Sequence, residues 1–388
     1  MKFKYPLSSN TWDEAETQAI NKVIPTGYFS NGPFVKQYEK AFAEKVGATY
    51  AVMTNSGSSA NLLAITAMVY SGRLQRGDEV IVPAVSWSTT YCPLAQLNLK
   101  LRFVDIDRET LNTDIGALEK AITAKTKAIF AVNLLGNPND FDKLQALCKK
   151  YSLLLMEDNC ESLGAQYHNR NAGTFGLFGT YSSFFSHHIC TMEGGVTVTD
   201  DEDLYHYMLA IRAHGWTRDL PESSSLYTKN TDEFYERFNF IMPGYNFRPL
   251  EMEGSVGLEQ LKKLDGFIKQ RRDNAQYFKK KIEKYPALSM QKEIGKSAWF
   301  GFAVILNKQF EGRRNEFTKA MNEGLIECRP IVSGNFTKQL ALKYMDYSIS
   351  GDLKNADYIH DNGFFVGNHS FDMKDNIDLL FSVIGKIR

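Results

Sequence analysis

Cysteine is scarce in this chain of 388 residues, and the few cysteines lie far apart. They are Cys92, Cys148, Cys160, Cys190 and Cys328. Because their number is odd and no two have the C-x-x-C spacing, the pattern argues against a disulfide framework and against a local zinc or iron–sulfur motif. The fold therefore has to be stabilised by a hydrophobic core, for which a content of 43% hydrophobic residues is sufficient.

An excess of charge of one sign is also absent. The 45 Lys and Arg residues balance the 45 Asp and Glu residues, so no basic field would attract nucleic acid or anionic lipid. The longest apolar runs, such as AIFAVNLLG, fall far short of the roughly 20 residues that a membrane-spanning helix needs. The polar opening, MKFKYPLSSNTWDEAE, is unlike a signal peptide. We therefore expect a cytoplasmic protein with neither nucleic-acid nor membrane partners.

The first half of the chain contains a regular alternation of strand-like and helix-like segments. Short apolar strands between helical stretches predict an α/β fold with a large, doubly wound, mostly parallel sheet covered on both faces. The predicted strands are YAVMT, EVIVP, RFVDID, AIFAVNLL and LLLMED. The first helix is predicted to have Thr11 as its N-cap, and the second is predicted to end at Gly47.

The second half has a different pattern. Residues 216–240 are polar and non-periodic, which predicts a long loop that is functional or packs on a partner. A helix rich in Lys and Arg is expected from Pro249 to about Tyr285, followed by a smaller α+β region. We therefore predict a large domain over residues 1–245 and a C-terminal part, made of the long helix and the small α+β domain, over residues 246–388.

Four polar segments follow predicted strands, and in an open parallel sheet ligands bind at the carboxyl ends of the strands. The small residues around Gly57 suit a phosphate at a helix N-terminus, although an ordinary tight turn has the same composition. Trp87 could stack on a planar ring or be a core tryptophan. Asp158 could pair with a protonated ring nitrogen or mark a solvated strand end. His187 and His188 are adjacent, so on a strand they would point to opposite faces, and we predict no metal site.

Together these segments resemble the sugar aminotransferase family of pyridoxal-phosphate enzymes, which has the aspartate-aminotransferase (type I) fold. The resemblance covers nearly the whole chain and follows the order of the family's motifs. The motifs are the S-G-[ST] turn, the aromatic residue after V-P-A, the E-D strand end, the [FY]-S…EGG segment, and Gly244-Tyr245-Asn246-Phe247-Arg248 leading into Glu251-Met252. Each motif alone is weakly specific, whereas five in the family's order are strong evidence.

One position departs from that family at the residue on which its chemistry depends. The family's lysine lies five residues after the serine of [FY]-S and six before the glutamate of EGG, and both counts, from Ser182 and from Glu193, lead to His187. No lysine occurs between Tyr151 and Thr228. An imidazole has no primary amine and cannot form a Schiff base with the cofactor, but with an ordinary pKa of about 6.5 it can transfer a proton.

With the segments HGWTR (214–218) and ECRPIVSGNF (327–336), this substitution resembles a dehydratase branch of the family. The resemblance implies removal of the C3 hydroxyl from a nucleotide-linked 4-keto-6-deoxy sugar, carried by GDP, as in dideoxysugar biosynthesis. It also implies L-glutamate as amino donor, release of ammonia, and a cofactor that alternates between pyridoxal and pyridoxamine 5'-phosphate without a lysine linkage. His187 would remove a proton from the cofactor's methylene carbon, and a homodimer would share its active sites.

The resemblance assigns further residues to the site. Those implied to contact the cofactor are Gly57, Ser58, Trp87, Asp158, Glu161, Ser182 and Asn246. Of these, Asp158 would hold the ring nitrogen, Trp87 would cover the ring, and Asn246 would reach the phosphate from the second subunit. Those implied to contact the substrates are His214, Arg218, Arg248 and Glu327. The two arginines suit the glutamate carboxylates or the nucleotide diphosphate, because a planar guanidinium binds both.

Three other functions stay open. A dehydratase of CDP-linked sugars also has histidine at this position but needs an iron–sulfur cluster, and the corresponding segment here, WTRDLPESSS, has no cysteine. A true aminotransferase could bind the cofactor through a different lysine. A catalytically inactive binding protein could have lost the lysine by mutation. In that case the other residues implied to contact the cofactor should also have been replaced, whereas Asp158, Ser182, Asn246 and the Gly57 turn are present.

Overall fold

The computed structural model describes residues 3–387, in which the strands form one large sheet and two small ones. The strands are β1 Tyr50–Thr54, β2 Glu79–Pro83, β3 Lys100–Val104, β4 Thr126–Val132, β5 Leu154–Asp158, β6 Gln166–Tyr167, β7 Arg170–Asn171, β8 Gly179–Ser182, β9 Gly195–Thr199, β10 Leu288–Ser289, β11 Gly301–Leu306, β12 Tyr347–Ile349 and β13 Gly363–Gly367. The α-helices are α1 Glu14–Val23, α2 Pro33–Val46, α3 Gly57–Tyr70, α4 Ser88–Gln96, α5 Ile115–Ala121, α6 Phe141–Tyr151, α7 Glu202–Arg212, α8 Glu233–Glu236, α9 Glu251–Ile282, α10 Arg314–Glu323, α11 Lys354–Asn362 and α12 Lys374–Ile384. Within this part of the chain, no helix combines the length and apolar character needed to cross a membrane.

The central sheet has eight strands in the order β1-β9-β8-β5-β4-β2-β3-β12. Strand β9 runs antiparallel to both of its neighbours, and the other neighbouring pairs are parallel. Helices α3, α4 and α7 cover one face, and α2, α6 and α9 cover the other. Burial on both faces explains why strands such as β2 are apolar along almost their whole length. The predicted doubly wound, mostly parallel sheet is confirmed.

The C-terminal part is built around α9, a helix of 32 residues. Strands β10, β11 and β13 form an antiparallel sheet that packs with α10 and α12 around a core of its own. The chain crosses the predicted boundary at residue 245 in both directions, since Tyr5 packs into this smaller core and β12 extends the edge of the central sheet. The division into 1–245 and 246–388 stays a prediction.

Two of the predicted helix ends can be compared with the structure, namely the start of α1 and the end of α2. The expectation that Thr11 caps α1 is wrong, because Asp13 forms a capping box with Glu16, whose carboxylate accepts the N–H of Asp13 at 2.8 Å. The hydroxyl of Thr11 instead donates to Gln260 Oε1 at 2.8 Å. The predicted end of α2 is confirmed, since Gly47 adopts a φ of 80°, which favours glycine.

Two other predicted segments differ in detail from the structure. The segment 216–240 is mostly irregular, as predicted, but contains the short helix α8 and is closed by a bridge between Trp216 and Phe240. The strand predicted over RFVDID begins two residues earlier and ends at Val104. The reason is that the Asp105 carboxylate accepts the N–H groups at the start of α11, which takes the chain out of the sheet.

Candidate active site

A cavity of about 290 Å³ opens where β5 and β8 end and where α3 and α4 begin. It lies at the carboxyl edge of the parallel strands, where the sequence predicts ligand binding. Seven of the predicted site residues line it, and they are Gly57, Ser58, Trp87, Asp158, Glu161, Ser182 and His187. Within residues 3–387, no lysine is among the residues that line this cavity.

Small residues form one end of the cavity, at the start of α3. Ser56 is the N-cap, and its hydroxyl accepts a hydrogen bond from the N–H of Ser59 at 3.1 Å. The N–H groups of Gly57 and Ser58, in the first turn, have no acceptor within the helix. A Cβ on Gly57 would lie 2.6 Å from the Cβ of Ser182, so the close approach of α3 to the end of β8 requires glycine. Such an arrangement can hold a phosphate, and we refer to it as the phosphate cradle.

The carboxylate of Asp158 lies at the end of β5 and is held by three hydrogen bonds. Its Oδ2 accepts from the Thr90 hydroxyl at 2.7 Å and from the Asn61 amide at 3.0 Å, and its Oδ1 accepts from the N–H of Cys160 at 3.1 Å. Asp158 is only 6% exposed, so it is not a solvated strand end. A buried, oriented carboxylate of this kind can pair with a cationic ring nitrogen.

His187 lies in a turn after β8, where its N–H donates to the carbonyl of Phe184 at 2.8 Å. Its ring centre is 5.1 Å from that of Phe300, and its Nδ1 is buried without a hydrogen-bond partner. Burial, reinforced by the positive charges of Arg329 and Arg271, lowers the pKa of His187 to about 3. The imidazole is therefore neutral at physiological pH, with a lone pair on one of its ring nitrogens.

His188 serves the fold instead of the cavity. It is fully buried, and its Nε2 hydrogen-bonds to the carbonyl of Ala298 at 3.1 Å. The premise that the two histidines alternate along a strand is wrong, because β8 ends at Ser182 and the chain turns before it reaches them. In the described chain, no group of three or more His, Cys, Asp or Glu residues is arranged to hold a metal ion.

Replacing His188 with glutamine should destabilise the protein less at acidic pH than at neutral pH. Burial lowers the pKa of His188 well below its ordinary value, so the native state keeps it neutral. The unfolded chain gains this proton below about pH 6.5, so wild-type stability present at neutral pH is lost as the pH falls. At pH 5.5 the free energy of unfolding of the wild type falls by roughly 1.4 kcal/mol for this reason, and that of the glutamine variant does not, because glutamine does not titrate. Urea unfolding at pH 5.5 and 7.5 measures the difference, and an equal stability gap at both pH values would contradict it.

The cavity is also lined by residues that were not predicted, and Arg329 is one of them. Its guanidinium lies 4.6 Å from the centre of the Phe365 ring. Beside it, burial raises the pKa of Glu161 to about 7, although Arg329 and the N–H of Leu135, which donates to Glu161 Oε2 at 3.0 Å, oppose the shift. The signal that could have identified Arg329 is its position in ECRPIVSGNF, two residues after Glu327.

The other predicted residues lie outside this cavity, and they are His214, Arg218, Asn246, Arg248 and Glu327. Glu327 contacts the N-terminal segment, since its Oε2 accepts the N–H of Leu7 at 2.8 Å. Arg218 and Arg248 line a second cleft, of about 570 Å³. Asn246 and His214 are both exposed. The Oδ1 atom of Asn246 accepts a hydrogen bond from Arg248 Nε at 3.0 Å. The structure of one chain therefore does not bring these residues together with His187.

The fold and the cavity are those of a pyridoxal-phosphate enzyme of the sugar aminotransferase type, and the chain belongs to the DegT/DnrJ/EryC1/StrS aminotransferase family, whose model matches residues 10–378. The chain is similar to the GDP-4-keto-6-deoxy-D-mannose 3-dehydratase of Yersinia pseudotuberculosis, with 55% identity over 386 residues and coverage of 98% of each chain. The family resemblance found in the motifs is confirmed.

Two solved structures of GDP-4-keto-6-deoxymannose-3-dehydratase are also similar to this chain. One is a mutant with bound GDP-perosamine, and the other contains a trapped PLP-glutamate geminal diamine. Each has a TM-score of 0.96 and 53% sequence identity, and each comparison covers 98% of this chain and 100% of the other.

Proposed function

We propose that this chain is a pyridoxal-phosphate-dependent dehydratase that removes the C3 hydroxyl of GDP-4-keto-6-deoxy-D-mannose, with glutamate as the amino donor. The observation that carries the proposal is a cavity with the phosphate cradle and buried carboxylate of such a cofactor site, but with His187 in place of the family's lysine. In sum, the sugar and glutamate become the 3-deoxy-4-keto sugar, 2-oxoglutarate and ammonia. Glutamate is oxidised by two electrons and C3 of the sugar is reduced by two, and the water released from C3 is consumed when ammonia is released by hydrolysis.

The residues of the cavity fit pyridoxal 5'-phosphate. The first turn of α3, with Ser58 and Ser182, would hold the phosphate, and Asp158 would pair with the protonated ring nitrogen. Trp87 is 51% exposed at the rim of the cavity and would cover the ring. When bound, the cofactor supplies an electron sink that stabilises a carbanion. Because no lysine lines the cavity, these non-covalent contacts would have to retain the cofactor.

His187 would act as the base. Its Nδ1 is buried without a hydrogen-bond partner, and one of the two ring nitrogens of a neutral imidazole has a lone pair that can accept a proton. Phe184 and Phe300 lie beside the ring and limit its access to water, which favours the neutral form. Glu161, whose pKa is raised to about 7, would be a second group able to exchange a proton near neutral pH.

We further propose that the chain forms a homodimer with shared active sites. Asn246 is exposed and lies outside its own chain's cavity, as expected of a residue that serves a second copy. Exposed aromatic side chains near the second cleft support a surface that a partner covers. They are Tyr28, Phe29, Phe238 and Phe240. Arg218 and Arg248 would then face the substrates of the partner's site.

The cytoplasmic location of the protein stays a prediction.

Incubating the purified protein with pyridoxal phosphate, glutamate and GDP-4-keto-6-deoxymannose tests the proposed function. We expect a product whose mass shows loss of one oxygen from the sugar, with equal amounts of ammonia and 2-oxoglutarate. An amino sugar that keeps the nitrogen, formed without ammonia, would identify an aminotransferase instead. The same assay with CDP- and dTDP-linked 4-keto sugars determines which nucleotide the protein accepts, and no reaction with any of them would favour an inactive binding protein.

A further inference from the structure

Arg271, in the long helix α9, is a buried cation that no carboxylate neutralises. Its side chain is 2% exposed, and burial lowers its pKa only to about 10, so it keeps its charge at neutral pH. Its Nη1 donates to two main-chain carbonyls, that of Phe300 at 3.1 Å and that of Asn368 at 2.6 Å. Among the residues that the structure describes, none forms an ion pair with it. Because a buried charge is costly and an apolar side chain could fill the same space, packing alone does not explain Arg271.

The carbonyl of Phe300 is the last of three consecutive carbonyls that buried side chains hold in place. The carbonyls and their partners are Ala298 with His188 Nε2 at 3.1 Å, Trp299 with Asn368 Nδ2 at 2.8 Å, and Phe300 with Arg271 Nη1 at 3.1 Å. On the other side, the N–H groups of Ala298 and Phe300 donate to carbonyls that follow β4, those of Gly136 at 2.8 Å and Leu135 at 3.0 Å. Segment 298–300 is therefore fixed from both sides.

This segment places the ring of Phe300 against the imidazole of His187. The two ring centres are 5.1 Å apart, and both residues line the cavity. Because His188 follows His187 in the chain, its hydrogen bond to Ala298 ties the turn that carries His187 to the same segment. The Nδ1 of His187 has no hydrogen-bond partner, so packing has to fix the direction of the ring on that side.

Given the proposed function, on which this inference rests, the direction of the imidazole determines which proton His187 reaches. We propose that Arg271 is a positioning residue for proton transfer by His187, and that it acts through the main chain of Phe300, whose ring packs against the imidazole. A base has to lie within hydrogen-bonding distance of the proton that it removes. A displacement of about 1 Å can slow such a step by about 100-fold. Burial, Arg329 and Arg271 together lower the pKa of His187, so the charge of Arg271 also favours the neutral imidazole.

Pyridoxamine phosphate that is deuterated at its methylene carbon isolates the proton transfer from other steps. In Arg271→Met, the single-turnover reaction of the pyridoxamine form with the nucleotide sugar should slow by about 10–100-fold, because the carbonyl of Phe300 loses its donor. The deuterium isotope effect should be at least as large as in wild type, and the sugar concentration at half-maximal rate should stay within a few fold. Arg271→Lys, which keeps one donor group, should recover part of the rate.

The nuclear magnetic resonance signal of His187 gives a readout that does not depend on turnover. The chain has seven histidines, and the signal of His187 is identified by its loss in His187→Asn. In the purified full-length protein, labelled with ¹³C at histidine Cε1 and measured without sugar, wild type should give one narrow His187 signal. In Arg271→Met the signal should broaden or split, because the imidazole samples more than one orientation.

Arg102→Met is the matched control for both measurements. Arg102 also donates to a main-chain carbonyl, that of Ala121 at 2.6 Å, but it does not line the cavity. This variant should keep the rate, the isotope effect and the His187 signal of wild type.

Phe300→Leu separates positioning from folding, because it removes the ring and keeps the three carbonyls of segment 298–300. It should slow proton transfer as Arg271→Met does, and it decides the question if Arg271→Met does not fold. If wild type does not react with the sugar, the proposed function fails, and the His187 signal in Arg271→Met then tests the positioning alone. An unchanged His187 signal, a rate within a few fold of wild type in either variant, or an isotope effect smaller than that of wild type would overturn the role of Arg271.

Discussion

Replacing His187 with asparagine is expected to slow dehydration of the nucleotide sugar by roughly 10²–10⁴-fold, because the cavity then loses the proposed base. Asparagine is polar and of similar length, but its amide does not accept a proton near neutral pH. The phosphate cradle at Gly57 and the carboxylate of Asp158 are unchanged, so cofactor binding should persist. Steady-state turnover and the cofactor content after gel filtration measure the two effects separately.

His168→Asn is the matched control for that experiment. His168 is an exposed histidine that pairs with Asp142 at the surface, 3.0 Å away, and it does not line the cavity. This variant should keep both turnover and cofactor content. If His187→Asn retained turnover within a few fold of wild type, the base would lie elsewhere, and Glu161→Gln would be the next variant to test.

Replacing Asp158 with asparagine should lower turnover by roughly 10²–10³-fold even at saturating cofactor. A neutral amide cannot stabilise a positive ring nitrogen as a carboxylate does, so the electron sink is weakened. The change also disturbs the site itself, since Asn61 and Thr90 both donate to the same carboxylate oxygen. Turnover as a function of added pyridoxal phosphate separates weaker cofactor binding from slower chemistry.

Asp105→Asn provides the comparison for a buried aspartate outside the cavity. Asp105 is 5% exposed and accepts the backbone N–H groups of Asn355 and Ala356 at the start of α11. This variant should lose stability while keeping the turnover of each folded, cofactor-loaded molecule. Equal turnover losses in the two variants would mean that Asp158 acts through stability, and not through the cofactor ring.

The strands and the position of His187 could be predicted because they leave a local trace in the sequence. The segments YAVMT and EVIVP coincide with β1 and β2, since strands buried on both faces are nearly continuous apolar runs. His187 could be located by counting from two motifs that flank it, and the structure places it in the same cavity as Asp158. The expected opposite orientation of His187 and His188 rested on a strand that ends at Ser182.

Contacts between distant elements could not be predicted in this way. Asn61 lies in α3 and Thr90 in α4, and they reach Asp158 only through the packing of both helices on the sheet. Arg329 comes from the C-terminal part and enters the cavity through its bridge to Phe365. No spacing rule connects these positions along the chain.

The proposed chemistry depends on a cofactor that is held beside His187 without a covalent bond to lysine. Borohydride reduction of the holoenzyme, followed by mass spectrometry of its peptides, tests this directly, with a lysine-containing aminotransferase of the same family treated in parallel. We predict that no lysine of this chain carries the reduced cofactor, which should be recovered free in solution, while the control enzyme is labelled. A reduced cofactor adduct on any lysine of this chain would contradict the proposal.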